Sequence, residues 1–199
     1  MEETKLNVWN IEEQLLQSRI IKIDGEINTQ MAQRVTSYLD VLANDDPNAV
    51  IKLEICSGGG SVLDGFAIVD KIREIPNPVV AFNTGLCASM ATIISSVCDY
   101  AYGSQNAQFM IHELASSVEG KFRVLKTSIE FDEKLNKRLF AILSHKTGKT
   151  EDELMKIATY DYWMDSEEAL AFGLIDAIRK PVKKNDKVLN DFIKELDKE

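Results

Sequence analysis

Segments with the character of β-strands alternate with segments with the character of α-helices along most of this chain. Residues 19–25 predict a first strand, and Asn28 then caps a helix whose apolar residues recur at helical spacing. Residues 49–55 predict a second strand, and the helix after it ends before the Pro-Asn-Pro sequence at 76–78. Repetition of strand, helix and strand favours a mostly parallel sheet with helices on its faces. The alternation therefore predicts an α/β fold.

The rest of the chain continues the same alternation. Further strands are predicted at residues 79–82, around 100–102 and at 108–111, and further helices at about 88–97, at 121–145, from 150 and from 165 to 173. Residues 83–85, Asn-Thr-Gly, predict a turn between a strand and a helix. Asp165 and Gly173 are typical of the first and last positions around a helix.

Two of these helices carry apolar faces. The helix after the second strand is expected to bury Leu63, Phe66, Ile68, Val69 and Ile72. The long helix at 121–145 has an apolar stripe made of Phe122, Leu125, Ile129, Leu135, Leu139 and Leu143. Few neighbouring segments are available to cover that stripe, so we expect partner chains to bury it, with Leu135 and Leu139 in the contact.

The composition is that of one globular domain. The chain has 199 residues, of which 45% are hydrophobic and 28% charged. We expect a domain at residues 1–180 and a peripheral charged tail at residues 181–199. The net charge of −9 argues against binding to nucleic acid or to an anionic membrane.

Other features of the sequence predict a cytoplasmic protein. The N-terminal residues are polar and acidic and predict no secretory signal, and the longest apolar stretch, residues 88–98, is too short to span a bilayer. The 3 cysteines, Cys56, Cys87 and Cys98, cannot all pair within one chain and match no zinc-site spacing. We expect three buried free thiols, no metal and no organic cofactor.

Three strand–helix junctions carry residues suited to chemistry, because sites in parallel sheets form where strands end. The first junction is Ser-Gly-Gly-Gly-Ser at residues 57–61. Consecutive glycines let another group approach the backbone and leave N–H groups free to donate. A tight turn would explain the same glycines, and the lack of a Walker or Rossmann pattern disfavours a phosphate site.

The other two junctions supply a serine and a histidine. Ser89 lies in the first turn of an apolar helix, where the helix dipole and free N–H groups favour a developing oxyanion. Helix capping would explain this serine as well. His112 ends a strand, whereas His145, the other of 2 histidines, lies near a helix end, where a cation complements the dipole. His112 is the better candidate for a general base, although a structural histidine would fit the same position.

Three segments in this order, SGGGSV at 57–62, GLCASM at 85–90 and FMIH at 109–112, resemble the ClpP family, the proteolytic subunits of Clp proteases. The likeness extends over residues 11–178, with LLQSRII at 15–21 and EALAFGLID at 168–176. The resemblance implies a ClpP/crotonase-type fold in which the helix at 121–145 projects as a handle.

The resemblance also implies roles for single residues. Ser89 would be the nucleophile, His112 the general base and Asp161 the carboxylate that orients the base. Asp165 is close to Asp161 in sequence but is better explained as a helix cap. The oxyanion hole would be formed by the N–H groups of Gly60 and Met90, and the substrate-binding residues would be Gly59, Ser61, Val62 and Leu114.

The sequence departs from the family pattern at several places. Gly58 replaces the usual proline of the glycine-rich loop, and Glu113 and Leu114 replace the Gln-Pro that commonly follows the histidine. Only about ten residues precede the matching segment, so we expect a pore less occluded by axial loops, which small peptides enter without an ATPase. The C-terminal tail is longer than usual. Such departures would suit a phage- or prophage-type member.

The resemblance implies a serine endopeptidase that hydrolyses unfolded polypeptides through an acyl-enzyme. Two stacked heptameric rings would enclose the site, and an AAA+ ATPase would unfold the substrates. Two alternatives stay open: a catalytically silent structural subunit of a mixed Clp assembly, and a crotonase-fold enzyme whose paired N–H groups act on acyl-CoA. A Ser-Lys peptidase is disfavoured because no lysine occurs between Ser89 and His112.

Overall fold

The computed structural model describes residues 11–181, so the N-terminal segment and the predicted tail beyond residue 181 lie outside the described residues. Within this part the helices are α1 Ile11–Gln17, α2 Thr29–Asp45, α3 Val62–Glu74, α4 Met90–Ser96, α5 Phe122–Thr147, α6 Glu151–Ile157 and α7 Ser166–Phe172. The strands are β1 Ile20–Asp24, β2 Ile51–Ser57, β3 Val79–Ala88, β4 Tyr100–Ser104, β5 Gln108–Ile111, β6 Tyr162–Met164 and β7 Ala177–Arg179.

A 7-stranded sheet forms the centre of the described part. Strands β1, β2, β3, β4 and β7 lie side by side in that order, and all of these pairs are parallel. Strand β5 pairs in parallel with the last residues of β3, and β6 pairs antiparallel with β5. The mostly parallel sheet and its helices confirm the predicted α/β fold class, although the short strands β6 and β7 were not predicted.

Strand β2 shows that the sheet has a buried face and an open face. Ile51, Leu53 and Ile55 are completely buried, whereas Lys52 and Cys56 are exposed. This alternation is the period of a strand that is covered on one side. The prediction of three buried thiols is therefore wrong for Cys56, because its place in the alternation puts its side chain on the open face.

Strand β3 continues through the turn that was predicted at residues 83–85. A shift in its pairing with β2 forms a bulge, and Gly85 has a φ of +58° within it. A bulge bends a strand without ending it. Strand β3 therefore runs on to Ala88, and the helix predicted from about residue 88 begins at Met90.

Helix α5 closely matches the helix that was predicted at 121–145, but its two halves differ in burial. Leu135 and Leu139 are only 7% exposed, because this half of α5 packs against α4 and α6. Toward the N-terminus of the helix, Phe122 and Ile129 are 79% and 56% exposed. The expectation that Leu135 and Leu139 lie in a contact with partner chains is therefore wrong, and the uncovered part of the stripe is the N-terminal half.

Helix α3 buries one face as predicted, except at its start. Ile68, Val69 and Ile72 are buried, and Phe66 packs against the core, but Leu63 is 58% exposed. Position 63 lies about 140° around the helix from Ile68, so its side chain points away from the core. None of the helices in residues 11–181 is long and apolar enough to cross a membrane.

Candidate active site

Ser89 occupies the single residue between strand β3 and helix α4. Its φ of +55° lies in a region that residues other than glycine rarely adopt, at a cost of about 1–3 kcal/mol. The backbone N–H donates a hydrogen bond of 2.9 Å to the Met110 carbonyl oxygen, which holds this turn against β5. The hydroxyl caps no helix N–H, so capping does not account for Ser89.

The Ser89 hydroxyl instead contacts the imidazole of His112. Oγ of Ser89 lies 2.7 Å from Nε2 of His112, within hydrogen-bonding distance. The two residues meet because Ala88 of β3 pairs with Met110 of β5 in parallel register. The carboxyl ends of both strands therefore lie at the same edge of the sheet, and each strand is followed directly by its polar residue.

Asp161 lies on the other side of the same imidazole. Its Oδ1 is 3.5 Å from Nδ1 of His112, which is longer than a well-formed hydrogen bond of about 2.7–3.2 Å. The antiparallel pairing of Ile111 with Tyr162 brings these two residues opposite one another. The side chain of Asp161 is 57% exposed, so nothing in the described part clamps it at a shorter distance.

The neighbouring candidates, Asp165 and His145, have other contacts. Oδ1 of Asp165 accepts the N–H of Glu168 at 2.8 Å, and the Glu168 carboxylate accepts the N–H of Asp165. This reciprocal pair is a capping box that starts helix α7. His145, in the last turn of α5, lines a groove between α3 and α5, away from Ser89.

The glycine-rich loop passes directly beneath Ser89. A Cβ on Gly59 would lie 2.7 Å from Cβ of Ser89, and a Cβ on Gly60 would overlap the Ile27 carbonyl oxygen. Both glycines have positive φ, +96° and +148°. The loop is fixed by an N–H···O bond of 2.9 Å from Ile27 to Gly59 and one of 2.8 Å from Ser61 to Ile27. Glycine is therefore required here by backbone contact and by conformation.

Two backbone donors stay unused beside the serine. Within residues 11–181, neither the N–H of Gly60 nor that of Met90 has an acceptor. Met90 is the first residue of α4, where the N–H groups of a helix have no intrahelical partner. Both residues line the cleft into which Ser89 and His112 open. This arrangement is suited to the stabilisation of an oxyanion.

The cleft beside Ser89 has a volume of about 230 Å³ and mostly apolar walls. Of the predicted substrate-binding residues, Val62 and Leu114 line it, whereas Gly59 lies beneath Ser89 and Ser61 caps helix α3 through its hydroxyl. Residues that sequence reasoning missed complete the lining; these are Ile93, Ile111, Glu113, Ala115, Leu139, Phe140 and Leu143. The apolar stripe of α5 is a sequence signal for two of them, Leu139 and Leu143, but an apolar stripe alone does not distinguish a cleft wall from a contact with a partner chain.

In the part of the chain that the structure describes, the cysteine thiols near the serine are poor alternatives to it as nucleophiles. Burial raises the pKa of the Cys87 thiol to about 12, so this neighbour of Ser89 is protonated at neutral pH and is a poor nucleophile. Burial also raises the pKa of Cys98. Among residues 11–181, no three His, Cys, Asp or Glu side chains come together as a metal-binding group.

The site places a serine at a strained turn within hydrogen-bonding distance of a histidine, and a carboxylate lies on the other side of the imidazole. This geometry is that of a serine hydrolase. The α/β fold and the apolar cleft are consistent with this class. A family model described as Clp protease matches residues 2–182. The chain belongs to the Clp protease family.

Relatives of known name support this membership. The chain is 32% identical over 181 residues to the ATP-dependent Clp protease proteolytic subunit 2 of Tropheryma whipplei. The aligned region covers 90% of this chain and 99% of that relative. The chain is 37% identical over 176 residues to the ATP-dependent Clp protease proteolytic subunit of Streptococcus mutans, with 85% and 89% covered. A subunit 2 from Bacillus licheniformis is 33% identical over 172 residues, with 85% and 90% covered.

The glycine-rich loop offers a matched test of this site. Gly60→Ala should lower the free energy of unfolding by at least about 2 kcal/mol, because the new Cβ would meet the Ile27 carbonyl and the backbone has positive φ. Gly58→Ala should leave stability unchanged or raise it by up to about 1 kcal/mol, since its Cβ would meet only Cδ2 of Leu86 at 3.7 Å. Urea unfolding measures both changes, and equal effects would contradict the packing described above.

Proposed function

We propose that this protein is a serine endopeptidase that cuts unfolded polypeptides. The observation that carries the proposal is the 2.7 Å contact between Oγ of Ser89 and Nε2 of His112, at a strained turn that faces an apolar cleft. The membership of the Clp protease family and the names of the relatives support the same activity. The acyl-CoA alternative leaves this serine–histidine contact without a role.

Each polar group of the site has a defined part in amide hydrolysis. His112 takes the proton from Ser89 through Nε2 while Oγ forms a bond to the substrate carbonyl carbon. The N–H groups of Gly60 and Met90 stabilise the charge that develops on the carbonyl oxygen. His112 returns the proton to the leaving amine, which departs and leaves an ester on Ser89. Water, deprotonated by His112, then hydrolyses the ester and restores the serine. Asp161 holds Nδ1 protonated and stabilises the imidazolium.

The substrate backbone is bound in extended form beside residues 60–62. The Ile27 backbone is hydrogen-bonded along one edge of this segment, to the Gly59 carbonyl and the Ser61 N–H. Successive N–H groups of an extended chain point to opposite edges, so the free N–H of Gly60 points to the other edge. Backbone pairing at this edge is tolerant of sequence. One apolar side chain of the substrate enters the cleft.

The names of the relatives, ATP-dependent proteolytic subunits, support an oligomeric assembly that acts with an ATPase. For this chain we propose two stacked heptameric rings in the cytoplasm, fed by an AAA+ ATPase that unfolds the substrate. The uncovered N-terminal half of α5 is the surface on which the rings stack. Confinement in such a chamber restrains a peptidase whose binding is tolerant of sequence.

Replacement of the nucleophile tests the activity itself. Ser89→Ala should abolish labelling by a fluorophosphonate and lower peptide hydrolysis by about 10⁴- to 10⁶-fold, because no oxygen remains to form the acyl-enzyme. Ser37→Ala, at an exposed serine of α2, is the matched control and should keep both activities. Hydrolysis that survives Ser89→Ala would end the proposal, and an unlabelled parent would indicate a silent subunit instead.

The two nearby aspartates should respond differently to the same change. Asp161→Asn should lower the rate by about 10³- to 10⁴-fold, because the amide favours the wrong tautomer of His112. Asp165→Asn should change the rate and the thermal stability only slightly, because asparagine caps a helix about as well as aspartate. Steady-state kinetics and thermal melting on both variants make the comparison. The reverse order of effects would show that the carboxylate was wrongly assigned.

Stacking of rings is tested at Ile129, which is 56% exposed on α5. Ile129→Glu should leave the protomer folded but separate the rings, because a carboxylate would have to enter an apolar contact unpaired. Ile129→Leu keeps the apolar surface and should assemble as the parent does. Analytical ultracentrifugation distinguishes double rings, single rings and monomers. A parent protein that sediments as an active monomer would contradict the proposed assembly.

A further inference from the structure

The cleft beside Ser89 has one charged residue in an otherwise apolar or neutral lining. Among its lining residues in the described part, Glu113 is the only Asp, Glu, Lys or Arg. It follows the general base directly, since His112 and Glu113 are consecutive. Glu113 is therefore the residue of this lining that can add a negative charge to the cleft, while Asp161 lies on the far side of His112.

Glu113 is held in place on both sides by hydrogen bonds of the backbone. Its own N–H donates to the Ala158 carbonyl oxygen at 3.2 Å, at the end of helix α6. The N–H of the next residue, Leu114, donates to Oδ1 of Asn136 on α5 at 3.0 Å. Leu114 also packs against the hydrophobic core. The position of residue 113 relative to His112 is thus fixed by two helices.

The carboxylate of Glu113 is itself unengaged. Within residues 11–181 it forms no ion pair and accepts no hydrogen bond, and the residue is exposed. Nearby carboxylates differ in this respect: Asp161 lies beside His112, and Asp132 accepts a hydrogen bond from Ser116. A fixed backbone and a free carboxylate together make Glu113 available to a group that comes from outside the chain.

We propose that Glu113 makes this site selective for polypeptides in which a lysine or arginine lies next to the apolar residue that fills the cleft. The inference rests on the proposed peptidase function and adds the substrate class to it. A bound peptide displaces water from the apolar cleft, which lowers the local dielectric constant and strengthens the attraction between the carboxylate and a cation. An acidic residue at the same place of the substrate is repelled.

Internally quenched peptides that differ at one residue test the proposal. Each peptide has a central leucine flanked by lysine, glutamine or glutamate, and the assembled full-length protein is the enzyme. For the parent, we expect kcat/KM for the lysine peptide to exceed that for the glutamate peptide by about 3- to 10-fold. This ratio should become smaller at high salt, because ions screen the charges. Glu113→Gln should bring this ratio to within about 2-fold of one, and Glu113→Lys should invert it.

Glu167→Gln is the matched control, because it removes the same charge at an exposed position of α7 that does not line the cleft. This variant should keep the parent's ratio of kcat/KM between the lysine and glutamate peptides. The comparison distinguishes the effect of the Glu113 carboxylate from that of the overall negative charge of the chain. A parent with no charge preference, or a preference that survives both Glu113 variants, would overturn the inference and leave the peptidase function intact. A parent that cleaves no peptide and takes no fluorophosphonate label would overturn both.

Discussion

The parallel pairing of the last residues of β3 with β5 is the interaction on which the catalytic arrangement depends. It aligns Ala88 with Met110, and Ser89 donates its N–H to the Met110 carbonyl, so the serine and His112 leave the sheet at one point. A slip of one residue in this register would turn every side chain of the strand to the other face. Burial of Phe109 and Ile111 opposes such a slip, and the same core that folds the sheet sets the distance between Ser89 and His112.

Strain at Ser89 is maintained by contacts on three sides. The bulge at Gly85 directs the end of β3 toward β5, Gly59 lies against the serine from below, and the buried helix α4 follows directly. A positive φ at a residue other than glycine persists only where its surroundings determine it. The strained conformation exposes Oγ to the cleft and leaves the N–H of Met90 free.

The sequence was sufficient to predict the fold class, because strand and helix periods alternate clearly and caps such as Asn28 and Asp165 are local signals. It also indicated Ser89 and His112, which the structure brings into contact. The extension of β3 to Ala88 could not be predicted, because residues 83–85 have turn composition and the bulge depends on pairing with β2. The exposed Cys56 and Leu63 were missed because composition around a residue does not tell which face of its element is covered.

Helix α5 links the cleft to the surface proposed for stacking. Its C-terminal half contributes Leu139 and Leu143 to the wall of the cleft, and Asn136 holds the segment that follows His112. Its N-terminal half leaves Ile129 uncovered on the same continuous helix. One continuous helix therefore provides part of the cleft wall, an anchor for the backbone that follows His112 and the exposed surface on which the proposed stacking depends.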